Sequence, residues 1–176
     1  RAPSASPPTA RRSSCGRPVT PANPLEALPL AKMMRESLWA YPTVETIHII
    51  GFAILVGSVV MFDLRVLGLS KNLSVRGLSR HLLPWSLAAL VLIVPTGSLM
   101  FLAHANDFLA NRTFQLKMGL LMLAGINAII FRTGPYQTVE HWDVATRAPI
   151  AAQLSVAASI LVWLSIIACG RFLAYT

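Results

Sequence analysis

The segment Tyr41–Gly68, YPTVETIHIIGFAILVGSVVMFDLRVLG, constrains the fold more than any other part of the chain. Between Glu45 and Asp63 it has no charged residue, apart from His48 when that side chain is protonated. At about 1.5 Å per residue, a helix over Thr46–Phe62 crosses most of a hydrocarbon core. The sequence therefore predicts an integral membrane protein.

The composition agrees with a membrane protein and argues against a nucleic-acid-binding one. Of the 176 residues, 55% are hydrophobic and 12% are charged, and the mean hydropathy is +0.60. Soluble domains carry roughly 25% charged residues. The formal net charge is +8, but the basic residues lie in the N-terminal tail and between apolar segments, not in one groove-binding patch. The expected partner is the lipid bilayer, with no nucleic acid.

Four apolar segments predict an all-α, polytopic membrane protein with a bundle of four transmembrane helices. The bundle covers residues 43–176, and its helices are predicted at about 43–62, 82–103, 114–131 and 149–169. Pro95-Thr96-Gly97 interrupts the second helix. A kink is expected there, with the freed carbonyl groups satisfied by neighbouring helices or by Thr96.

Two segments precede the bundle. Residues 1–22 are rich in Pro, Arg and Ser and have no acidic residue, a composition that cannot bury a core. This tail is either a docking element for another subunit or an extension without a role. Residues 23–40 predict an amphipathic helix, capped by Asn23 and ended by Pro42. The helix either lies at the membrane interface or packs on another part of the protein.

The distribution of basic residues between the loops predicts the orientation. The first and third loops hold Arg65, Lys71, Arg76, Arg80, Arg132 and Arg147, against Arg112 and Lys117 for the middle loop. The positive-inside rule then places the first and third loops in the cytoplasm of a bacterium. Both termini are expected in the periplasm, and the chain is expected in the inner membrane. The basic tail argues the other way, but most of it lies far from the first helix.

Small residues mark helix faces suited to close packing. They are Gly51, Ala53 and Gly57 on the first predicted helix and Ala151 and Ser155 on the fourth. Small side chains let two helix backbones approach closely in a bilayer. Asn127, in the third helix, is expected to bridge helices through its amide group. These faces predict contacts within the bundle or with other membrane subunits.

Four histidines are the candidate cofactor ligands. The predicted topology places His48 and His104 near the outer end of the bundle and His81 and His141 near the inner end. Two such pairs are the arrangement in which b-type haems take axial imidazoles, with Glu45 orienting His48. Alternatively, imidazoles at a membrane interface need no ligand. A copper site formed by His48 with Met61, Met100 or Met118 is weaker, because scattered methionines usually serve packing.

Asp63 and Arg65 end the first predicted helix. One interpretation is an ion pair within a proton or ion path. The favoured interpretation is a helix exit in which Arg65 extends to anionic lipid headgroups. The sequence has no catalytic triad, phosphate-binding loop or cysteine-rich metal motif, and Cys15 and Cys169 form no disulfide framework. A protein without catalytic activity of its own is therefore favoured.

Three stretches carry a resemblance to a known family. They are LEALPLAKMMRESLWAYPTVETIHIIGFAILVGSVVMFDLRVLGL, LSRHLLPWSL and FQLKMGLLMLAGINAIIF. From about Leu25 to the C-terminus, the chain resembles a bacterial family of small four-helix integral membrane proteins of unknown function. That family is distantly similar to the CopD-type copper-resistance membrane domain and to di-haem four-helix cytochromes. A histidine often follows the Asn-Ala-x-x-Phe run in that family, whereas this chain has Arg132 there.

The sequence thus leaves two functional hypotheses. The first is an accessory subunit of a larger membrane complex, bound through the tail of residues 1–22 and the small-residue helix faces. The alternative is a membrane electron-transfer protein that binds haem b, or copper, with His48 and His104. A small transporter would need polar groups at mid-membrane, and only Thr96, Asn127 and Ser159 are placed there.

Overall fold

The fold of residues 24–173 and of residue 175 is described from a computed structural model. The tail of residues 1–22 and the cap expected at Asn23 lie outside these residues. In the part of the chain that is described, all regular secondary structure is helical. The predicted all-α fold is therefore confirmed.

Four of the described helices are long and apolar enough to cross a membrane, as predicted. These are α2 (Ala40–Leu67), α3 (Val75–Ala103), α5 (Arg112–Thr133) and α6 (Ile150–Leu173). Two shorter helices, α1 (Pro29–Glu36) and α4 (Ala105–Ala110), precede α2 and α5. Short 3-10 helices occupy Pro24–Ala27 and Pro135–His141.

The spanning helices extend beyond their apolar cores. Helix α3 begins at Val75 rather than near residue 82, because the Ser74 hydroxyl caps it by accepting a hydrogen bond of 2.9 Å from the Gly77 amide. Helix α2 begins at Ala40 and runs through Pro42, so the prediction that Pro42 ends the preceding helix is wrong. Pro42 lies in the first turn of α2, where its missing N–H removes no helical hydrogen bond.

Helix α1 packs on the bundle rather than standing apart from it. Ala31 and Met34 are fully buried on the side that faces the protein. Arg35 donates a hydrogen bond of 2.8 Å to the Ala103 carbonyl at the end of α3. The Glu26 carboxylate accepts one of 2.9 Å from the amide of Asn106 in α4. The interpretation of this segment as a helix packed on another part of the protein is thus supported, and its depth in the membrane stays a prediction.

The spanning helices pack side by side in the order α3, α2, α6 and α5. A central apolar cluster of Leu55, Ala89, Ala124, Trp163 and Ile166 joins them at mid-bundle. In the described residues, α3 and α5 pack far less on each other than on their other neighbours. The four helices therefore form an arc whose two outer members are α3 and α5.

One end of the arc, which we call the basic end, carries the loop between α2 and α3 and the segment between α5 and α6. Arg65 fastens these two connections together. Its Nε donates a hydrogen bond to the Leu73 carbonyl at 2.6 Å, and its Nη2 donates to the carbonyls of Lys71 at 3.0 Å and Asp143 at 2.9 Å. Only 4% of Arg65 is exposed, so the prediction that it extends to lipid headgroups is wrong.

Asp143 makes the second connection between the same two segments. Its carboxylate accepts hydrogen bonds from the Arg76 amide at 2.7 Å and from the Ser74 hydroxyl at 2.9 Å. Burial alone would raise the pKa of Asp143, but these hydrogen bonds outweigh it and hold the pKa below its ordinary value. Asp143 is thus a structural carboxylate that keeps the N-terminus of α3 in place.

Replacing Arg65 tests this organisation of the basic end. We expect Arg65→Ala to lower the free energy of unfolding of the detergent-solubilised protein by about 3 kcal/mol, because three partly buried hydrogen bonds from a charged donor are lost. The matched control is Arg80→Ala, which removes an exposed arginine from the same end. Thermal unfolding followed by circular dichroism measures both. Equal stability of the two variants would contradict the assigned role of Arg65.

Candidate functional site

Asp63 is a carboxylic acid buried within a membrane-spanning helix. It lies on the last turns of α2 and is only 4% exposed, although an ionisable side chain within a membrane span is costly to bury. In the described part of the chain its neighbour Arg65 is engaged by loop carbonyls, and no ion pair joins the two side chains. The interpretation of Asp63 as one half of an ion pair with Arg65 is therefore not supported.

One oxygen of the Asp63 carboxyl group lacks a hydrogen-bond partner. Oδ2 is buried and has no partner among the described residues. Ser159, on α6, lines the same cavity as Asp63. A buried polar atom without a partner costs about 1–3 kcal/mol. Asp63 thus carries an acceptor that a proton, water or a ligand would satisfy.

Asp63 lines a cavity of about 260 Å³ between the four spanning helices, towards the basic end. The polar side chains around it are mostly small hydroxyl and amide groups. They are Ser58, Ser79, Ser86, Asn127, Ser155 and Ser159. Four aromatic side chains supply much of the remaining wall: Phe62, Phe131, Tyr136 and Trp163. The cavity therefore combines one carboxylate, several neutral hydrogen-bonding groups and aromatic faces.

Asn127 and Ser155 fix the wall formed by α5 and α6. The Asn127 amide donates to the Ser155 carbonyl at 3.0 Å, and the Ser155 hydroxyl donates to Asn127 Oδ1 at 3.0 Å. The prediction that Asn127 bridges helices is confirmed. Because these two residues hydrogen-bond to each other, they shape the cavity without competing for a hydrogen bond with Asp63.

The cavity opens outward between α3 and α5, the two outer helices of the arc. Leu83, on the α3 side, is 46% exposed, and Ala128, on the α5 side, is also exposed. Arg132 lines the same opening and lies over the ring of Tyr136, with its guanidinium carbon 4.6 Å from the ring centroid. On this side of the arc, α3 and α5 make few contacts with each other in the described residues.

The chemistry that these residues offer is recognition rather than covalent catalysis. A carboxylate beside aromatic rings accepts hydrogen bonds from an amine or hydroxyl and attracts a cation. No histidine or cysteine lines this cavity, and no cluster of three metal-binding side chains occurs among the described residues. The cavity therefore suits a small polar head group better than a metal ion.

His48 lies away from this cavity, in a tight contact between α2 and α3. Its Nδ1 is 3.0 Å from Thr96 Oγ1, and the Thr96 hydroxyl is 2.7 Å from the Leu92 carbonyl one turn back. The ring packs closely on Gly97, where an added Cβ would be 3.0 Å from His48 Cε1. Glu45 is exposed and makes no hydrogen bond to His48 in the described part of the chain. Thr96 is thus the residue that orients this imidazole.

The other three histidines make no described contact with His48. The ring of His104 packs edge-on against Tyr41, with the centroids 5.3 Å apart, and its buried Nδ1 has no partner among the described residues. His81 and His141 are both exposed at the basic end. No described contact links the members of either predicted pair. The assignment of these side chains as haem ligands stays a prediction.

The small residues divide into packed and exposed positions. An added Cβ at Gly51 would meet Ile93 of α3 at 3.0 Å, so this glycine permits the close contact between α2 and α3. Ala53, Gly57 and Ala151 are exposed, and a Cβ at Gly57 would meet nothing within 4 Å. Their role as contacts with other subunits stays a prediction. Met61 and Met118, considered as copper ligands, are likewise exposed.

Sequence reasoning missed part of the cavity lining. It singled out Asp63, Asn127, Ser155 and Ser159 but not Ser79 or Ser86, which line the cavity from α3. Serines within apolar helices usually bond to their own backbone and carry little signal. One signal was present: Ser79 and Ser86 are seven residues apart, and that spacing places both on one face of a helix.

The contact between His48 and Gly97 is tested by a methyl group. We expect Gly97→Ala to destabilise the protein by about 1–2 kcal/mol, because the new Cβ displaces the His48 ring. The control is Gly125→Ala, where no atom lies within 4 Å of an added Cβ and alanine raises helix propensity. Thermal unfolding in detergent distinguishes the two. Stabilisation of both variants would show that His48 does not pack on α3 as described.

Comparison with known proteins indicates which family the chain belongs to. No curated protein and no solved structure matches it. The similarity to the CopD-type domain is therefore not shown by these comparisons. A model of the family of unknown function DUF6644 matches residues 37–176, which include all four spanning helices and the Asp63 cavity. The chain belongs to this family of unknown function, DUF6644.

Proposed function

We propose that this multi-pass membrane protein binds a small amphiphilic ligand whose head group is an amine or another cationic hydrogen-bond donor. The single observation that carries the proposal is Asp63 Oδ2, a buried acceptor without a partner in the described residues, at the wall of a cavity of about 260 Å³. The head group would donate to Asp63, and the apolar part would lie in the opening between α3 and α5.

The aromatic lining supports a cationic head group. Trp163, Phe62 and Phe131 offer ring faces or edges to the same cavity as the carboxylate. Ring faces attract cations, and the attraction increases when the cation is desolvated. Arg132 disfavours a cation near the opening, because its guanidinium keeps its positive charge while it lies over the ring of Tyr136. The balance therefore favours a cation deep in the cavity, beside Asp63.

The same proposal includes an orientation in the membrane. Lys71 and Arg147 lie in the connections at the basic end, and Arg76 and Arg80 lie in the first turns of α3 beside them. The positive-inside rule favours the cytoplasm for such a basic end. The cavity would then open in the cytoplasmic half of a bacterial inner membrane, with both termini in the periplasm. A ligand would reach Asp63 from the cytoplasmic leaflet.

Three ligands with the same chain length test which head group the protein recognises. We expect dodecylamine to bind the purified protein at least tenfold more tightly than dodecanol or dodecanoate, because only the amine gives Asp63 a charged donor. Quenching of the fluorescence of Trp163, which lines the cavity, measures binding, and Trp163→Phe identifies its signal. We expect Asp63→Asn to remove the preference for the amine. The control, Asp107→Asn, changes an exposed acid in α4 and should retain it.

The opposite results would refute the proposal. Equal affinity for the three ligands would show that the head group is not recognised. An unchanged amine preference in Asp63→Asn would show that another group binds the head. Circular dichroism of each variant verifies that its helices are intact, so that a loss of binding is assigned to the removed carboxylate.

The open side of the arc supports a second proposal, in which the protein is an accessory subunit. A helix of another membrane subunit would then close the opening beside Leu83 and Ala128. In that case a photo-crosslinking residue at Ala128 should join one subunit at fixed stoichiometry, whereas one at the exposed Val91 should not. Crosslinking to lipid alone at both positions would contradict this role. The tail of residues 1–22 is the other predicted contact with such a subunit.

Electron transfer through haem b bound by His48 and His104 stays a prediction. The contact of His48 with Thr96 and Gly97 does not favour it, because the ring is already packed against α3. The visible absorption spectrum of the purified protein tests it directly.

A further inference from the structure

A second cavity, of about 380 Å³, lies at the basic end between the turn that follows α2 and the start of α6. We call it the basic groove. Its walls are the backbone of the turn, two cations, one amide side chain and a few apolar side chains. The lining residues are Val66, Leu67, Gly68, Leu69, Lys71, Arg147, Ala148 and Gln153. We propose that the basic groove binds the phosphate group of an anionic phospholipid.

The two cations of the groove have no competing negative charge beside them. Lys71 and Arg147 are exposed, and neither forms an ion pair in the described part of the chain. The acids nearest to Arg147 along the chain are already engaged: Glu140 pairs with Arg76 at 2.6 Å, and Asp143 accepts from Ser74 and Arg76. Two free cations lining one groove repel each other, and a bound phosphate relieves that repulsion.

The turn that carries Lys71 has a defined shape. Gly68 ends α2 with φ of +113°, a conformation that side chains other than glycine rarely adopt. Lys71 Cε lies 3.4 Å from the position of a Cβ at Gly68, so the lysine stem rests on the glycine. The contact places the end of the lysine stem beside the turn that forms one wall of the groove.

Arg65 holds the two walls of the groove in register. It donates to the Lys71 carbonyl on one wall and to the Asp143 carbonyl on the segment that leads to Arg147. The Ala145 amide also donates to the Lys71 carbonyl, at 3.0 Å. Because these hydrogen bonds fix both connections before any ligand binds, little conformational entropy is lost on binding. The groove is therefore a pre-formed anion site.

The surroundings of the groove favour a lipid over a free phosphate ion. Leu67 and Leu69 line it and are exposed, and Ile150, at the start of α6, is 75% exposed. These side chains lead from the groove to the apolar surfaces of two spanning helices. A phosphate at Lys71 and Arg147 would thus be joined to acyl chains that cover α2 and α6. Basic sites at the ends of spanning helices bind anionic headgroups in this way.

Native mass spectrometry of the delipidated full-length protein in detergent tests the proposal. The probes are phosphatidylglycerol and phosphatidylcholine with identical acyl chains. We expect the unmodified protein to retain phosphatidylglycerol at least tenfold more tightly, and Lys71→Gln with Arg147→Gln to reduce that preference at least fivefold. Arg147→Gln alone should weaken it partly, whereas Arg80→Gln, which removes an exposed arginine outside the groove, should not. Arg147→Lys should restore most of the preference.

Two results would overturn the proposal. The first is an unchanged lipid preference in the double variant, or an equal loss in Arg80→Gln, which would indicate a general effect of charge. The second is displacement of phosphatidylglycerol by inorganic phosphate. Inorganic phosphate at the same concentration should not displace phosphatidylglycerol, because it lacks the acyl chains. Equal competition would assign the groove to a free anion instead of a lipid.

Discussion

The low polarity of a hydrocarbon core determines how every polar group of this protein is arranged. Backbone groups satisfy each other within the four spanning helices. The guanidinium of Arg65 donates hydrogen bonds to three loop carbonyl groups, and these hydrogen bonds hold the basic end together. The polar side chains of Asn127 and Ser155 are satisfied by hydrogen bonds between these two residues. Asp63 is the exception, because one of its oxygens is buried without a partner among the described residues.

The order of the helices explains why Asp63 is accessible. Because α2 and α6 lie between α3 and α5, the two outer helices leave a side of the arc open towards the basic end. The central apolar cluster packs the four helices together at mid-bundle. A cavity with one carboxylate, aromatic walls and a lateral opening is consistent with our proposal of an amphiphilic amine.

The sequence was sufficient to predict the elements but not their contacts. The absence of charge over Thr46–Phe62 required a spanning helix, and Asn127 in an apolar helix required a partner. Arg65 was misassigned because a basic residue at a helix end often extends to lipid, and only the fold of two distant connections reveals its carbonyl acceptors. Likewise, the close contact of His48 with Gly97 depends on the rotation of α2 against α3, which hydropathy does not determine.

The central claim is that the Asp63 carboxylate receives the head group of the ligand. The chain has three aspartates, Asp63, Asp107 and Asp143, so carbon-13 labelling of aspartate side chains gives three carboxyl signals that single Asn variants assign. We predict that dodecylamine shifts the Asp63 signal in a saturable manner and leaves those of Asp107 and Asp143 unchanged. An Asp63 signal that does not respond, or an equal shift of all three signals, would contradict the account.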